Sequence, residues 1–436
     1  MFTAETQKTL IYLLPLLIMI GLDGWRRHKR NRAAVKLLRE SQEARLTEPP
    51  SLHPVIDPNL CIGCAACVKA CPESNVLGII AGKAQVVTPA NCIGHGACKA
   101  ACPMGGIQLV FGTATRGVDI PVVSETFETS VPGIYIAGEL GGMGLIRNAI
   151  TQGREAMKAI SQDLKGCSGK DYDVIIIGAG PAGFAASLTA KSEKLSYLTI
   201  EQETFGGTVA HFPRGKIVMT APVELPLVGK VQFRETTKEK LLTFWEEIKQ
   251  KQQLNINFNE RMERISIEDG HFTVTTQHGS YSAHKLLLSI GRRGTPRKLG
   301  VNNEDLPKVV YRLTDPEQYR GLKVLVVGGG DSALEAATSI AAEPNTEVTL
   351  SYRSEAFSRA KPKNRLKVEQ AAERGELHVL MKSQVTSISD NSVNLKHNGE
   401  TLEIANDSVI ICAGGILPTP MLKEIGILVE TKHGEA

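Results

Sequence analysis

The stretch YDVIIIGAGPAG, residues 172–183, decides the fold of most of this chain. A β-branched apolar run opens it, which predicts a buried strand. Gly178, Gly180 and Gly183 then follow with the G-x-G-x-x-G spacing of a turn from a strand into a helix. The amides at the start of such a helix can bind a pyrophosphate. Glu201 ends the next strand, YLTIE, where a carboxylate can bind a ribose hydroxyl.

A second strand and glycine turn appear further along the chain, in LKVLVVGGGDSALEAATSIA, residues 322–341. Here Gly328 and Gly330 keep the spacing, and Ala333 takes the third position. The following strand ends not in an acid but in Arg353, with Arg359 soon after. A guanidinium there can bind a 2′-phosphate, so NADPH is expected, with NADH as the alternative. The basic residues could instead be only the solvated start of a helix.

The segments around the glycine turns alternate strands with helices, which predicts an α/β fold with two Rossmann-like dinucleotide-binding domains. A chain of 436 residues is also too long for a single core. A formal net charge of +4, much of it in one short run, gives no indication of nucleic-acid binding.

Two cysteine repeats lie upstream, LCIGCAACVKACP at 60–72 and NCIGHGACKAACP at 91–103. The C-x2-C-x2-C-x3-C-P spacing is typical of chains that hold two iron-sulfur clusters, with the last cysteine of each repeat binding the cluster of the other. Zinc is the alternative, but zinc motifs rarely carry this spacing twice. The first predicted ligand set is Cys61, Cys64, Cys67 and Cys102; the second is Cys92, His95, Cys98 and Cys71.

His95 stands where the repeat calls for a cysteine. A neutral imidazole can bind iron, and the loss of one thiolate charge would raise the reduction potential of that cluster. If His95 does not bind iron, the cluster becomes [3Fe-4S] instead of [4Fe-4S]. In both cases the two clusters are expected to differ.

The N-terminal run TLIYLLPLLIMIGL, residues 9–22, is uncharged but short for a membrane span of about 20 residues. Trp25 can act as an interfacial anchor, and the basic run RRHKRNR at 26–32 follows. The expectation is a single-pass helix in the inner (cytoplasmic) membrane with the body of the protein in the cytoplasm. The alternative is a helix that packs on the protein or lies in the interface, broken at Pro15. Seven of nine cysteines lie in the two repeats, which is unlike a secreted disulfide framework.

From residue 172 onward the chain resembles the two-nucleotide flavoprotein reductases, nearest the thioredoxin-reductase-like branch. The residues that carry the resemblance are YDVIIIGAGPAG for FAD, GGGDSALEAA for NADPH and VIICAGGILPTP at 409–420. Residues 57–111 resemble a bacterial-type two-cluster ferredoxin, a small α+β domain. In dithiol reductases of the first family a C-x-x-C lies near the flavin or nicotinamide. This chain has none there, and Ala182 stands where some relatives carry cysteine, so disulfide reduction is not expected.

The resemblance also implies an unusual order of segments. TSVPGIYIAGELGG, residues 129–142, resembles the element that closes the flavin site at the end of the family's chains. Here it comes first, which predicts a circular permutation with Gly138 and Glu139 beside the flavin. The predicted domains are a membrane anchor at 1–32, a helical linker at 33–56, the ferredoxin domain at 57–111, an FAD domain at 112–298 completed by 408–436, and an NAD(P) domain at 299–407.

The expected function is electron transfer between NAD(P)H, FAD, two iron-sulfur clusters and a redox partner. No general acid or base is needed, so no catalytic residue is predicted. The partner could be a quinone, a membrane redox complex or a ferredoxin, and a homodimer is expected from the family. The alternatives are a ferredoxin:NADP reductase that serves a soluble acceptor and a membrane redox sensor without turnover.

Overall fold

The chain divides into two compact units, residues 1–116 with 433–436 and residues 117–432. The computed structural model describes most of both. The described residues are 4–43, 46–49, 52–73, 75–142, 144–164, 172–212, 214–219, 222–233, 235–268, 270–292, 294–357 and 360–434. Within these ranges the side chains of residues 4–12, 16, 217, 219, 235 and 268 are not described.

The smaller unit begins with one long helix and continues as short elements that carry the cysteine repeats. These are α1 (Ala4–Glu43), β1 (His53–Ile56), α2 (Ala66–Ala70), β2 (Leu77–Ile80), β3 (Lys83–Val86), α3 (Ala97–Ala100) and β4 (Ile107–Val110). Strand β1 pairs antiparallel with β4, and β2 pairs antiparallel with β3. Each repeat contributes one short helix, and Cys67 on α2 and Cys98 on α3 are buried in the common core. The pair β1 and β4 therefore joins the segment before the first repeat to the segment after the second, and the pair β2 and β3 lies between the repeats.

Helix α1 contains the run predicted to anchor the chain in a membrane. Pro15 lies inside the helix and does not end it. Leu17, Met19 and Trp25 are each at least 60% exposed. In the part of the chain that the structure describes, no helix combines the length and apolar character needed to cross a bilayer. The predicted membrane helix is thus unsupported, and part of its run lies among the side chains that are not described.

The larger unit opens with the elements of a first sheet. They are β5 (Val118–Pro121), β6 (Ile134–Ile136), α4 (Ile146–Asp163), β7 (Tyr172–Ile177), α5 (Pro181–Ser192), β8 (Tyr197–Ile200), β9 (Ile217–Met219), β10 (Val223–Leu225), β11 (Gly229–Val231), β12 (Glu235–Thr237), α6 (Lys238–Lys251), β13 (Ile256–Asn257), β14 (Met262–Glu268), β15 (His271–Thr276) and β16 (Ser280–Leu288). Seven strands form this sheet in the order β13-β8-β7-β16-β15-β14, with β6 also paired to β16. The pairs among β13, β8, β7, β16 and β6 are parallel.

The segment that precedes the first glycine turn is part of this sheet. Strand β6 pairs with β16 from Ile134 to Ile136, and both residues lie in one core with Ile175 and Leu286. Helix α4 packs on α5, with Met157 and Ile160 fully buried between them and the sheet. Segment 129–153 therefore folds into the same domain as the first glycine turn.

A second sheet holds the second glycine turn. Its region contains β17 (Thr295–Pro296), β18 (Val309–Val310), β19 (Lys323–Val327), α7 (Asp331–Ala341), β20 (Glu347–Tyr352), α8 (Pro362–Glu373), β21 (Leu377–Met381), β22 (Ser383–Ile388), β23 (Ser392–His397), β24 (Glu400–Ala405) and β25 (Ser408–Ile411). The parallel order is β18-β25-β19-β20-β21, and β22, β23 and β24 form a separate antiparallel sheet.

Strand β25 corrects one predicted boundary. Residues 408–411 were expected to complete the first domain, but they pair with β19 in the second sheet. A short apolar strand carries no mark of which sheet it joins, so its sequence could not decide this. The chain continues through β26 (Gly415–Ile416), α9 (Thr419–Glu424) and β27 (Val429–Lys432). Strand β27 pairs antiparallel with β5, close to the start of the larger unit.

Candidate functional site

The first glycine turn has the geometry of a pyrophosphate cradle. Gly178 has φ +103°, and a Cβ added there would lie 2.6 Å from the Ser289 carbonyl oxygen. A Cβ at Gly183 would lie 1.8 Å from the Gly178 carbonyl oxygen, so α5 can approach β7 only with glycine at that position. At Gly180 an added Cβ would meet only the Gly207 Cα, at 3.8 Å. The loop is therefore closed against the sheet and open at the helix N-terminus, which suits a diphosphate.

Glu201 lies at the end of β8, where it was predicted, and holds the turn in shape. Its side chain is buried, and one carboxylate oxygen accepts a hydrogen bond of 2.7 Å from the Ala179 amide. The other oxygen accepts from the Glu203 amide at 3.0 Å. Burial raises the pKa of the Glu201 carboxyl, while the two amides oppose that shift. A carboxylate oxygen has a further lone pair, so Glu201 can still accept from a ribose hydroxyl in the cleft.

Gly138 and Glu139 reach the same cleft from the earlier segment of the chain. The Gly138 amide donates to Gln152 Oε1 at 2.8 Å, which ties the end of β6 to helix α4. Gly138 has φ +88°, and an added Cβ would lie 3.0 Å from the Ala182 Cβ. The predicted flavin-side residues are thus brought next to the first glycine turn.

The second glycine turn is built in a similar way. A Cβ at Gly328 would lie 2.4 Å from the Cys412 carbonyl oxygen, and Ala333 is fully buried under the turn. At Gly330, which precedes α7, an added Cβ would meet nothing within 4 Å. Space for a phosphate is therefore left at the N-terminus of α7. Arg353, at the end of β20, lines the same cleft.

The basic segment after β20 is tied to the start of α7. Asp331 Oδ1 accepts from the Lys361 amide at 2.8 Å and from Asn364 Nδ2 at 2.7 Å. Arg359 lies outside the described residues, so its predicted role stays a prediction. The spacing of the basic residues did not predict that Asp331 would accept hydrogen bonds from this segment.

Both turns open onto one cleft of the larger unit. The positions where two dinucleotides would bind therefore face each other across the same cleft. An ion-pair group that sequence analysis missed lies on its wall. Glu203 pairs with His211 Nε2 at 2.9 Å and with Arg312 at 3.1 Å. Lys216 also bridges to Glu335 on α7 at 2.9 Å. Arg312 and Glu335 lie more than 100 residues from their partners, so spacing in the sequence could not reveal these two ion pairs.

In the smaller unit the predicted iron ligands line two cavities. The first cavity is lined by Cys61, Cys64, Cys67 and Cys102, and the second by Cys71, Cys92, His95 and Cys98. The fourth cysteine of each repeat therefore lies with the first three ligand positions of the other. This crossed arrangement is the one that two-cluster ferredoxins use.

Burial has a strong effect on these thiols. Burial raises the pKa of Cys92 to about 11, and it also raises the pKa of Cys67, Cys71 and Cys98. Metal binding deprotonates such thiols, so loading the cavities would release protons. Among the described residues, no three His, Cys, Asp or Glu side chains are arranged around a single metal ion. In a cluster each ligand takes a different iron, so the ligands need not converge on one point.

Two segments of the chain match known protein families. Residues 175–435 match the family model of the pyridine nucleotide-disulphide oxidoreductases. The chain belongs to this family. Residues 53–103 match the 4Fe-4S dicluster domain. The predicted resemblance to flavoprotein reductases joined to a two-cluster ferredoxin domain is confirmed, and so is the class of FAD-dependent oxidoreductase.

Similar proteins include ferredoxin-NADP reductases. That of Ignicoccus hospitalis is 34% identical over 186 residues, which cover 42% of this chain and 57% of that protein. That of Picrophilus torridus is 28% identical over 286 residues, covering 60% of this chain and 82% of that protein. Among solved structures, the bacillithiol disulfide reductase Bdr of Staphylococcus aureus is 25% identical with a TM-score of 0.51, covering 60% of this chain and 81% of that one.

Proposed function

We propose that this chain transfers electrons between NADPH and a one-electron redox partner through FAD and two iron-sulfur clusters. The observation that carries the proposal is that one chain combines two kinds of site. Both glycine turns open onto one cleft, and the predicted cluster ligands line two cavities. When bound, FAD would supply the chemistry that links two-electron hydride transfer from a nicotinamide to one-electron transfer, and iron-sulfur clusters would carry single electrons.

The residues of the chain would bind and orient these groups. The N-terminus of α5 and Glu201 would hold the diphosphate and ribose of FAD, with Gly138 and Glu139 closing the same side of the cleft. The N-terminus of α7 would hold the diphosphate of NADPH, and Arg353 its 2′-phosphate. No side chain of the cleft is needed to take up a proton in this proposal, and none is assigned that role.

The cysteine content of the cleft favours electron transfer over disulfide reduction. Of the described residues that line the cleft, Cys412 is the single cysteine. A dithiol mechanism needs a second thiol to resolve the mixed disulfide. The names of the relatives in Ignicoccus and Picrophilus also point to ferredoxin as a substrate. A ferredoxin:NADP reductase that serves a soluble acceptor is therefore the second candidate.

Turnover experiments separate these functions. NADPH oxidation by the loaded protein should proceed with benzyl viologen, a one-electron acceptor, and not with oxidised glutathione. Cys412→Ser should keep the viologen rate, because its thiol has no part in the route. Reduction of a soluble two-cluster ferredoxin at a rate similar to that of viologen would favour the second candidate. Disulfide reduction that disappears in Cys412→Ser would contradict the proposal.

We also infer that the flavin domain is circularly permuted. The pairing of β6 with β16 and the packing of α4 on α5 support this, because both elements precede the first glycine turn in the chain. The segment next to the flavin would then follow the ferredoxin domain directly in sequence.

Attachment to a membrane surface is a further proposal. Leu14, Ile18 and Ile20 on α1 are each more than half exposed, and the basic run 26–32 follows on the same helix. Apolar side chains next to lysines and arginines bind anionic lipid surfaces. The full chain should float with vesicles that contain phosphatidylglycerol, and a chain that lacks residues 1–32 should not. The single-pass topology and the homodimer stay predictions.

A further inference from the structure

The two cluster cavities differ in their neighbouring charges as well as in their ligands. The first cavity is lined by four cysteines, which would bind a cluster as thiolates, and the second by three cysteines and the imidazole of His95. Ligands alone would make the second site less negative by one charge, and its cluster easier to reduce. The described residues next to each cavity alter that comparison.

Among the described residues that line the second cavity, Glu73 is the acidic one. This half-buried residue lines the same cavity as Cys71, Cys92 and His95. After burial, which is the largest cause, its charge is among the causes that raise the pKa of Cys71 and Cys92. The carboxylate therefore lies close enough for its field to act on the cluster ligands.

Lys83 gives the first site the opposite charge. Its ammonium group donates a 2.7 Å hydrogen bond to the carbonyl oxygen of Cys61. The Ala84 amide donates to the Cys61 sulfur at 3.3 Å, which also favours the reduced cluster. Of the described residues that line this cavity, none is acidic. Lys83 is exposed, so solvent and salt weaken its effect relative to that of Glu73.

We propose that Glu73 restores to the His95 site the negative charge that the missing thiolate removes, so that the reduction potentials of the two clusters lie close together. With Glu73 counted, the formal charge of the second site equals that of the first, where ligands alone make the second site one unit less negative; the exposed Lys83 adds only a weakened positive charge near the first site. Two clusters of similar potential share an electron, whereas a large gap would trap it at one site. In this proposal Glu73 acts on the cluster through the charge of its carboxylate and is not an iron ligand. The inference rests on the proposed function, because it assumes that both cavities hold clusters.

The test is a potentiometric titration of the full chain, loaded with FAD, iron and sulfide and followed by low-temperature EPR. Iron and sulfide contents come first, because a protein without two clusters would refute the proposed function before Glu73 is tested. His95→Cys identifies the signal of the second site by changing its ligand. The variants are Glu73→Gln, which removes the charge, Glu73→Asp, which keeps it, and Glu40→Gln, a matched control on α1 that lines neither cavity.

Glu73→Gln should make the second cluster at least about tenfold easier to reduce, an upward shift of about 59 mV for one electron. The first cluster should stay within about twofold of its wild-type equilibrium. Glu73→Asp and Glu40→Gln should both resemble the wild type. A shift below about twofold in Glu73→Gln would overturn the proposal. Loss of the second cluster from Glu73→Gln would also overturn it, since Glu73 would then be an iron ligand.

Discussion

Gly153 offers a direct test of whether helix α4 is part of the flavin-binding domain. A Cβ added at this position would lie 2.0 Å from the carbonyl oxygen of Ala182 on α5. Ordinary contacts begin near 3.5 Å, so Gly153→Ala forces the two helices apart by about 1.5 Å at this point. The obstructing atom belongs to the backbone, so no side-chain rotation relieves the overlap.

The expected cost follows from two opposing effects. Overpacking a core of this kind costs about 1–3 kcal/mol, and a rigid backbone contact falls at the upper end. Alanine gains about 0.8–1.0 kcal/mol over glycine as a helix former. A net loss of about 2 kcal/mol remains, or about 30-fold in an equilibrium constant. Ala182 lies in the first turn of α5, so FAD binding at that turn should weaken by at least about tenfold.

The assay compares FAD binding and urea-induced FAD release in Gly153→Ala and the wild type, with flavin fluorescence as the signal. Gly279→Ala is the matched control, because an added Cβ at Gly279 meets nothing within 4 Å. It should behave as the wild type. If Gly153→Ala retains the FAD affinity and urea midpoint of the wild type, α4 does not pack on α5, and the inferred permutation loses its main support.

Three further substitutions test individual contacts. In Glu201→Gln, one acceptor oxygen faces two donor amides, which costs about 1–3 kcal/mol. The FAD content after gel filtration should therefore fall, and a wild-type content would contradict the role of Glu201. Arg353→Gln should raise KM for NADPH at least about tenfold in steady-state assays, since a hydrogen bond to a charged group contributes about 1.5–3 kcal/mol. KM for NADH should stay unchanged, and an equal rise for both coenzymes would contradict 2′-phosphate binding. Tyr135→Phe removes the 3.2 Å hydrogen bond to Asp163 and should lower the free energy of unfolding by about 0.5–1.5 kcal/mol in urea titrations. An unchanged urea midpoint would show that this bond adds no stability.

Sequence reasoning succeeded where a motif carries its own geometry. The positions of Gly178 and Gly183 in the chain imply a tight turn and a close helix, and the structure has both. The two cysteine repeats likewise predict which residues share each cavity. The placement of β6 beside β16 could be expected because segment 129–142 resembles an element that ends the chains of the family, although here it precedes the first glycine turn. No local pattern in the segment required this placement.

The rest depended on contacts between distant parts of the chain. Glu203 and Arg312 are more than 100 residues apart, and neither belongs to a motif, so their ion pair on the cleft wall could not be predicted. Glu73 follows a repeat whose spacing concerns cysteines only, so its place in the second cavity also came from the structure. Strand β25 joined the second sheet because of its pairing with β19, which an apolar run of four residues does not specify.

The measurement that most directly tests electron transfer through this chain is an anaerobic titration of the loaded protein with NADPH. The flavin is followed by absorbance and the clusters by low-temperature EPR, and NADH serves as the comparison. Cluster signals should appear as the flavin bleaches, and at lower concentrations of NADPH than of NADH. If the flavin bleaches while both clusters stay oxidised until dithionite is added, NADPH does not feed the clusters and the proposed route is wrong.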